Sequence, residues 1–256
     1  MRGGISGKRV CGLVAGALLV GGAATSAVGG ASDSVAGGTQ PGEPPNLGSA
    51  KDEVARYYGD GGNHRPSPDS QWAKDVDEQV GKAREHVESR LSEGVRNPAI
   101  VLDIDDTSEL TYEVQAANDY GFDQEKFDRA VREKRFPAIE QTRDLTRWAH
   151  DRGVRIFFIT GRDEPQQADT AEGLKQHGYP DPAGLFLDPT EQPRDYLPCG
   201  TDCTTVEYKA GTRAHLEQQG NTILANLGDQ QSDLDGGHAE RGYKLPNPMY
   251  FIPGDE

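Results

Sequence analysis

Apolar residues along the chain follow two different spacings. Over 49–58 and again over about 69–93 they recur at helical intervals: Val54, Tyr57 and Tyr58, then Trp72, Val76, Val80, Ala83, Val87 and Leu91. Asp69 and Ser70 suit the start of the second helix and Gly94 suits its end. From Pro98 the pattern changes. An apolar run over 98–104 predicts a strand, followed by a mixed helical region at 108–135 and a helix at about 138–150. A strand at 154–159, a helix at about 165–177 and a strand at 184–187 come next. A loop bearing Pro and Cys, 188–203, leads to a helix at 205–218 and a strand at 222–227, with short extended pieces near 242–245 and 249–252. Strands alternating with helices predict βαβ units, hence an α/β fold on a parallel sheet, with an N-terminal helical arm packed on it. Ligands of such sheets bind beyond the strand C-termini.

The chemistry-bearing residues stand at those places. Asp103, Asp105, Asp106 and Thr107 follow the first strand, and Thr160-Gly161-Arg162 follow the second. Lys209 lies near the start of the helix at 205–218, and Gly228-Asp229-Gln230-Gln231-Ser232-Asp233 follow the last long strand. Carboxylates delivered to one sheet edge need a cation. Residues i and i+2 share a direction, so Asp103 and Asp105 can divide the work of nucleophile and proton donor. Each motif also has a plain structural reading: acids capping a loop, Thr160 as a helix cap, Gly228-Asp229 as a turn, Lys209 as a solvated surface group. It is the convergence of four that argues for a site.

Composition narrows the field. The chain of 256 residues has 27 Lys+Arg against 42 Asp+Glu, a net charge of −15, which argues against nucleic acid or an anionic membrane as the main partner. Arg2, Lys8 and Arg9 precede a Gly/Ala-rich apolar run from Val10 to about Ala24, and small residues Thr25-Ser26-Ala27 follow, the order of a secretory signal over 1–27. Loss of three positive charges there would take the net charge from −15 to −18. Residues 28–47 read as a disordered linker and 48–256 as the folded domain. Removal of the signal removes Cys11 and leaves Cys199 and Cys203, most simply one disulfide in an exported chain. No membrane attachment is expected after cleavage, and the oligomeric state is not readable.

The ordered motifs resemble the haloacid dehalogenase (HAD) superfamily, and within it the secreted acid phosphatase branch. The resemblance rests on Asp103-Ile104-Asp105-Asp106-Thr107, on Gly228-Asp229-Gln230-Gln231-Ser232-Asp233-Leu234 and on Tyr243-Lys244-Leu245-Pro246-Asn247-Pro248-Met249-Tyr250, and spans roughly residues 50–256. It implies a Rossmann-like three-layer fold with a small helical cap at about 108–137. It also implies Mg²⁺-dependent hydrolysis of a small phosphate monoester, with phosphoryl transfer to other alcohols as an alternative and an acidic pH preference. Asp103 matches the nucleophile and Asp105 the general acid/base. Thr160, Gly161 and Lys209 match the phosphoryl-binding groups, with Gly161 and the following N–H groups opening a helix. Asp103, Asp229 and the backbone carbonyl of Asp105 match the metal ligands, and Asp233 a supporting acid that orients the metal shell or pairs with Lys209. Arg162 is expected to be structural.

Two positions depart from the pattern: Asp106 stands where Glu is common, and Gln231 where Trp is common. Some relatives of the branch serve as storage or binding proteins after losing the nucleophile; Asp103 is present here. A two-metal phosphoesterase is disfavoured because the six His residues form no ligand set, and a serine hydrolase because no Gly-x-Ser-x-Gly occurs. In the cap region Tyr112, Asn118, Tyr120 and Phe122 could line the substrate mouth or form the cap's own core.

Overall fold

The computed structural model describes residues 44–252; the expected signal segment and most of the expected linker lie outside them. The first helix, α1 (Leu47–Tyr57), begins slightly earlier than its spacing predicts, because the Asn46 side chain caps it by accepting from the Ser49 N–H at 3.0 Å. Helix α2 (Gln71–Ser92) is capped by Ser70 and buries the predicted stripe of Trp72, Val76, Val80, Ala83 and Val87. Each such valine, fully buried, contributes about 1.5–3 kcal/mol.

A five-stranded, wholly parallel sheet follows: β1 (Pro98–Leu102), β2 (Arg155–Asp163), β3 (Gly184–Asp188), β4 (Thr222–Gly228) and β5 (Arg241–Lys244), in spatial order β3-β2-β1-β4-β5. The central strands are apolar on both faces because both faces are covered. Ile100, Leu102, Ile156, Phe158 and Leu224 face a core shared with α2 and with α5 (Glu140–His150). Ala99, Val101, Phe157, Ile159 and Ile223 face a second core closed by Tyr208 and Leu216 of α7 (Thr205–Gln218). The result is three layers.

Between β1 and α5 the mixed region resolves into two short helices, α3 (Tyr112–Ala117) and α4 (Gln124–Arg132), separated by Asp119 and Tyr120 in the left-handed region. Ala130, Val131 and Phe136, with Val114 and Phe127 against them, give this region a small core of its own. Two expectations change. Strand β2 runs on to Asp163, because pairing with β3 resumes at Asp163↔Asp188 after an irregularity beyond Thr160. A single 3₁₀ turn (Glu164–Gln166) then leads into α6 (Gln167–Gln176). The extended piece expected at 249–252 is not a strand: the Met249 N–H goes to the Asn247 side chain and the Ile252 N–H to that of Gln230. Cys199 and Cys203 form a disulfide in the loop before α7.

Candidate active site

Asp103 is the first residue past β1. Its N–H donates to the Leu227 carbonyl at 3.0 Å, which ties it to β4 and fixes its carboxylate at the sheet edge. From α7, Lys209 Nζ donates to Asp103 Oδ1 at 2.6 Å and to Asp233 Oδ1 at 2.5 Å. All three side chains are nearly sealed from solvent. Asp233 belongs to the short helix α8 (Gln231–Leu234), and its Oδ2 accepts from the Gln230 N–H at 2.8 Å. Gly228 is required for this fold-back, since a Cβ there would meet the Asp233 Cβ at 2.2 Å.

Asp229 lies just past β4 and is buried. Its Oδ1 accepts from Thr107 Oγ1 at 3.2 Å, and its Oδ2 accepts from Gln230 Nε2 at 2.6 Å and Asn247 Nδ2 at 2.8 Å. One carboxylate oxygen each from Asp103, Asp229 and Asp233 lie within 4.8 Å of one another. Asp106 is held with φ 56° and accepts from the Thr111 N–H, from Thr111 Oγ1 at 2.6 Å and from Tyr250 Oη at 2.9 Å. These bonds offset the strain of a non-glycine residue in the left-handed region.

The electrostatics of this edge are unbalanced. Burial pushes the Asp103 carboxyl well above its ordinary value, against the pull of Lys209. Burial, then the neighbouring Asp233 and Asp106, push Asp229 up to about 7. Burial also pushes Asp106 up to about 7, despite the bonds from Thr111. Burial alone would discharge Lys209, but Asp103 and Asp233 hold it protonated. A hard cation with oxygen ligands fits this set: it supplies the missing charge, and Asp103, Asp229 and Asp233 already present oxygen donors together.

Asp105 stands apart from that cluster and faces Arg162. The guanidinium donates from Nη2 to Asp105 Oδ1 at 2.7 Å and from Nε to Asp105 Oδ2 at 3.1 Å, and from Nη2 to Glu109 Oε2 at 2.8 Å. His177 Nδ1 lies 2.7 Å from the other Glu109 oxygen. Thr160 is buried at the end of the first paired stretch of β2, and its Oγ1 accepts from the Arg162 N–H at 3.2 Å. Gly161 does not open a helix as expected. It lies within β2, and Asp163 occupies the cap position ahead of the 3₁₀ turn.

A cleft of about 460 Å³ opens over these groups, with Asp103, Asp105, Gly161, Lys209, Asp229 and Asp233 in its floor and wall. Thr160 is fully buried and does not line it. The cleft is also lined by Tyr120, Phe122 and Phe127 from the region after β1, and by Tyr250 and Phe251 from the tail. The four candidates for the mouth therefore divide. Tyr120 and Phe122 line the cleft, Tyr112 packs against Tyr58 at 4.3 Å between ring centroids, and Asn118 turns to the Gly121 carbonyl. Sequence reasoning gave no role to Asn247, Tyr250, Gln230, Glu109 or His177. The first two lie in the tail that carries the resemblance; Glu109 and His177 offered no local signal.

Comparison with known proteins agrees with this geometry. The family described as HAD superfamily, subfamily IIIB (acid phosphatase), matches residues 68–253. The chain belongs to this family. It is 33% identical over 156 residues to Acid phosphatase 1 of Solanum lycopersicum, covering 59% of this chain and 58% of that protein. It is 35% identical over 140 residues to the Stem 28 kDa glycoprotein of Glycine max, covering 52% of each. Vegetative storage protein 1 of Arabidopsis thaliana is 32% identical over 117 residues, 46% of this chain and 40% of that protein. The chain thus spans between two fifths and three fifths of the length of these relatives. The fold is similar to that of the class C acid phosphatase from Bacillus anthracis, with a TM-score of 0.61, 20% identity, and coverage of 80% of this chain and 86% of that one.

Proposed function

We propose that this protein is an exported, Mg²⁺-dependent phosphomonoesterase that works through an aspartyl-phosphate on Asp103. The observation that carries the reading is the buried Asp103–Lys209–Asp233 arrangement beside Asp229 in the floor of one cleft. The Asp103 carboxylate attacks phosphorus, the bond to the leaving oxygen breaks, and Asp105 donates a proton to that oxygen. Asp105 then takes a proton from water, whose oxygen attacks phosphorus and frees Asp103 and phosphate. Lys209 balances the charge of the transferring group, and Thr160, buried next to the cleft-lining Gly161 and not itself lining the cleft, would have to reach a phosphoryl oxygen with its O–H. Asp103, Asp229 and the Asp105 carbonyl would hold Mg²⁺, with Asp233 supporting; when bound it neutralises phosphoryl oxygens.

The resemblance to plant acid phosphatase and stem glycoproteins, with the signal-like 1–27 segment, supports export. Among the described residues no helix is long and apolar enough to cross a membrane. A storage role, the name two Arabidopsis relatives carry, is the alternative; retention of Asp103 supports the enzyme. The test is hydrolysis of a generic aryl phosphate with Mg²⁺ and then with excess EDTA. Turnover that Mg²⁺ restores and Asp103→Asn removes is the expected result, whereas an inert, folded, metal-binding protein overturns it. Phosphate transfer that rises with added glycerol would show that the intermediate is shared with alcohols.

A further inference from the structure

Arg162 is the most confined cation among the described residues at the cleft. Its side chain is 1% exposed, and every nitrogen of its fork meets a protein acceptor. Nε and Nη2 serve Asp105, Nη2 also serves Glu109, and Nη1 donates to Thr170 Oγ1 at 3.3 Å. The Phe127 and Phe136 rings stand 6.0 and 5.8 Å from its Cζ. A guanidinium engaged in this way is not available to grip a phosphoryl group. What it does is hold one carboxylate, Asp105, by both oxygens.

The support behind Arg162 comes from one face of α6 and from its C-cap residue, His177. Thr170, Gly173 and His177 are spaced at three and seven residues, so they line up along the helix. Thr170 takes Nη1 of Arg162. Gly173 leaves room for Glu109: a Cβ there would lie 3.1 Å from Glu109 Oε1. His177 caps the arrangement, its Nδ1 on that same oxygen. Glu109 is itself 3% exposed and touches neither the cleft nor the Asp103 cluster. A carboxylate buried that deeply needs a function for its charge, and its two oxygens go to Arg162 and His177.

We propose that Glu109, steadied by His177, is a positioning residue that fixes the Arg162 guanidinium, and through it the orientation of Asp105 for proton transfer to the leaving group. This rests on the phosphatase reading above. Glu109 acts through Asp105 on both proton transfers, but kcat/KM reads only the steps up to formation of the aspartyl-phosphate, where the proton is donated. The cost of disturbing it should therefore depend on how badly the leaving oxygen needs a proton.

The test compares kcat/KM on two esters, p-nitrophenyl phosphate, whose phenolate leaves unaided, and glycerol phosphate, whose alkoxide does not. Glu109→Gln keeps the shape and removes the charge. It is expected to lower kcat/KM on glycerol phosphate by about tenfold or more, a part of the roughly hundredfold to ten-thousandfold that a positioned proton donor supplies, and on the aryl ester by no more than about twofold. The Mg²⁺ concentration for half-activation should not move. His177→Ala and Gly173→Ala, which loosen and crowd Glu109 from outside, should show the same leaving-group bias more weakly, and they carry the comparison if Glu109→Gln does not fold. Equal losses on both esters, no loss on either, or a shifted Mg²⁺ requirement would overturn the inference while the active wild type keeps the phosphatase reading intact. A wild type inert on both esters overturns that reading and this inference with it.

Discussion

The two sides of the cleft floor each hold a buried cation against two carboxylates, and they do it with different residues. On one side Lys209 sits between Asp103 and Asp233. On the other, Arg162 sits between Asp105 and Glu109. A lysine ammonium is a compact charge whose donors can be redirected as charge moves, whereas an arginine fork imposes one planar geometry. The difference matches the work proposed for each neighbour. On that proposal Asp103 would lose its charge on bonding to phosphorus, so its partner would have to follow the charge to the phosphoryl oxygens. Asp105 would only give and take a proton, so its partner would have to keep it still.

The comparison can be broken most severely at its centre. Asp103→Asn should leave the fold intact by circular dichroism and reduce aryl phosphate turnover by at least about a thousandfold, as expected when a covalent nucleophile is removed. Lys209→Arg keeps the charge but forces a planar fork between carboxylates only 2.5 and 2.6 Å from the ammonium. A loss on the order of a hundredfold in kcat is expected, and near-normal kcat would show that a mobile point charge is not needed there. The reciprocal change, Arg162→Lys, should cost less, roughly tenfold, and chiefly on esters with poor leaving groups.

Stability offers a gentler probe. Asp106 and Asp229 titrate at about 7 in the folded protein against an ordinary 3.8. Between those values the native chain holds protons that the unfolded chain has released, so in EDTA stability is greatest at low pH and falls as pH rises toward 7. Melting should drop by several degrees between pH 5 and 8, and saturating Mg²⁺ should restore on the order of 5 °C at pH 8. A metal-free melting temperature that rises over this range would contradict the buried, uncompensated carboxylates. The smallest effect belongs to Cys203→Ser. Cys199 and Cys203 are separated by four positions, so the bridge closes a very short loop and constrains the unfolded chain by only about 2 kcal/mol, near the low end for a disulfide. A fall of about 4 °C is expected by differential scanning fluorimetry.

The sheet was legible because its strands are apolar runs and its helices carry a regular stripe, and both are local signals. The Asp229 position was legible because it follows a strand whose end the pattern marks, whereas Lys209, within a helix, was placed by the resemblance and by spacing alone reads as a surface lysine. The Arg162–Glu109–His177 support was not legible. Glu109 falls in a charged stretch that reads as helical surface, and its partners lie 53 and 68 residues away. The extension of β2 past Gly161 was hidden for a related reason: it depends on pairing with Asp188 across the sheet, while the local Thr-Gly pair suggests a strand end. The tail that holds Asn247 and Tyr250 was marked by the resemblance, but without periodicity it gives no hint that these two side chains close on Asp229 and Asp106.

That closure by the tail has a consequence for when the protein becomes chemically competent. Asp103 leaves the ribosome well before the groups that complete its surroundings: Lys209 is 106 residues later, and Tyr250 follows its partner Asp106 by 144. Contacts so distant along the chain form late and slowly. A nascent chain therefore carries the Asp103 carboxylate without the Lys209 ammonium, and Asp106 without the Tyr250 hydroxyl, that meet them in the fold. On the proposed mechanism, synthesis order itself would delay phosphate chemistry until nearly the whole domain has emerged.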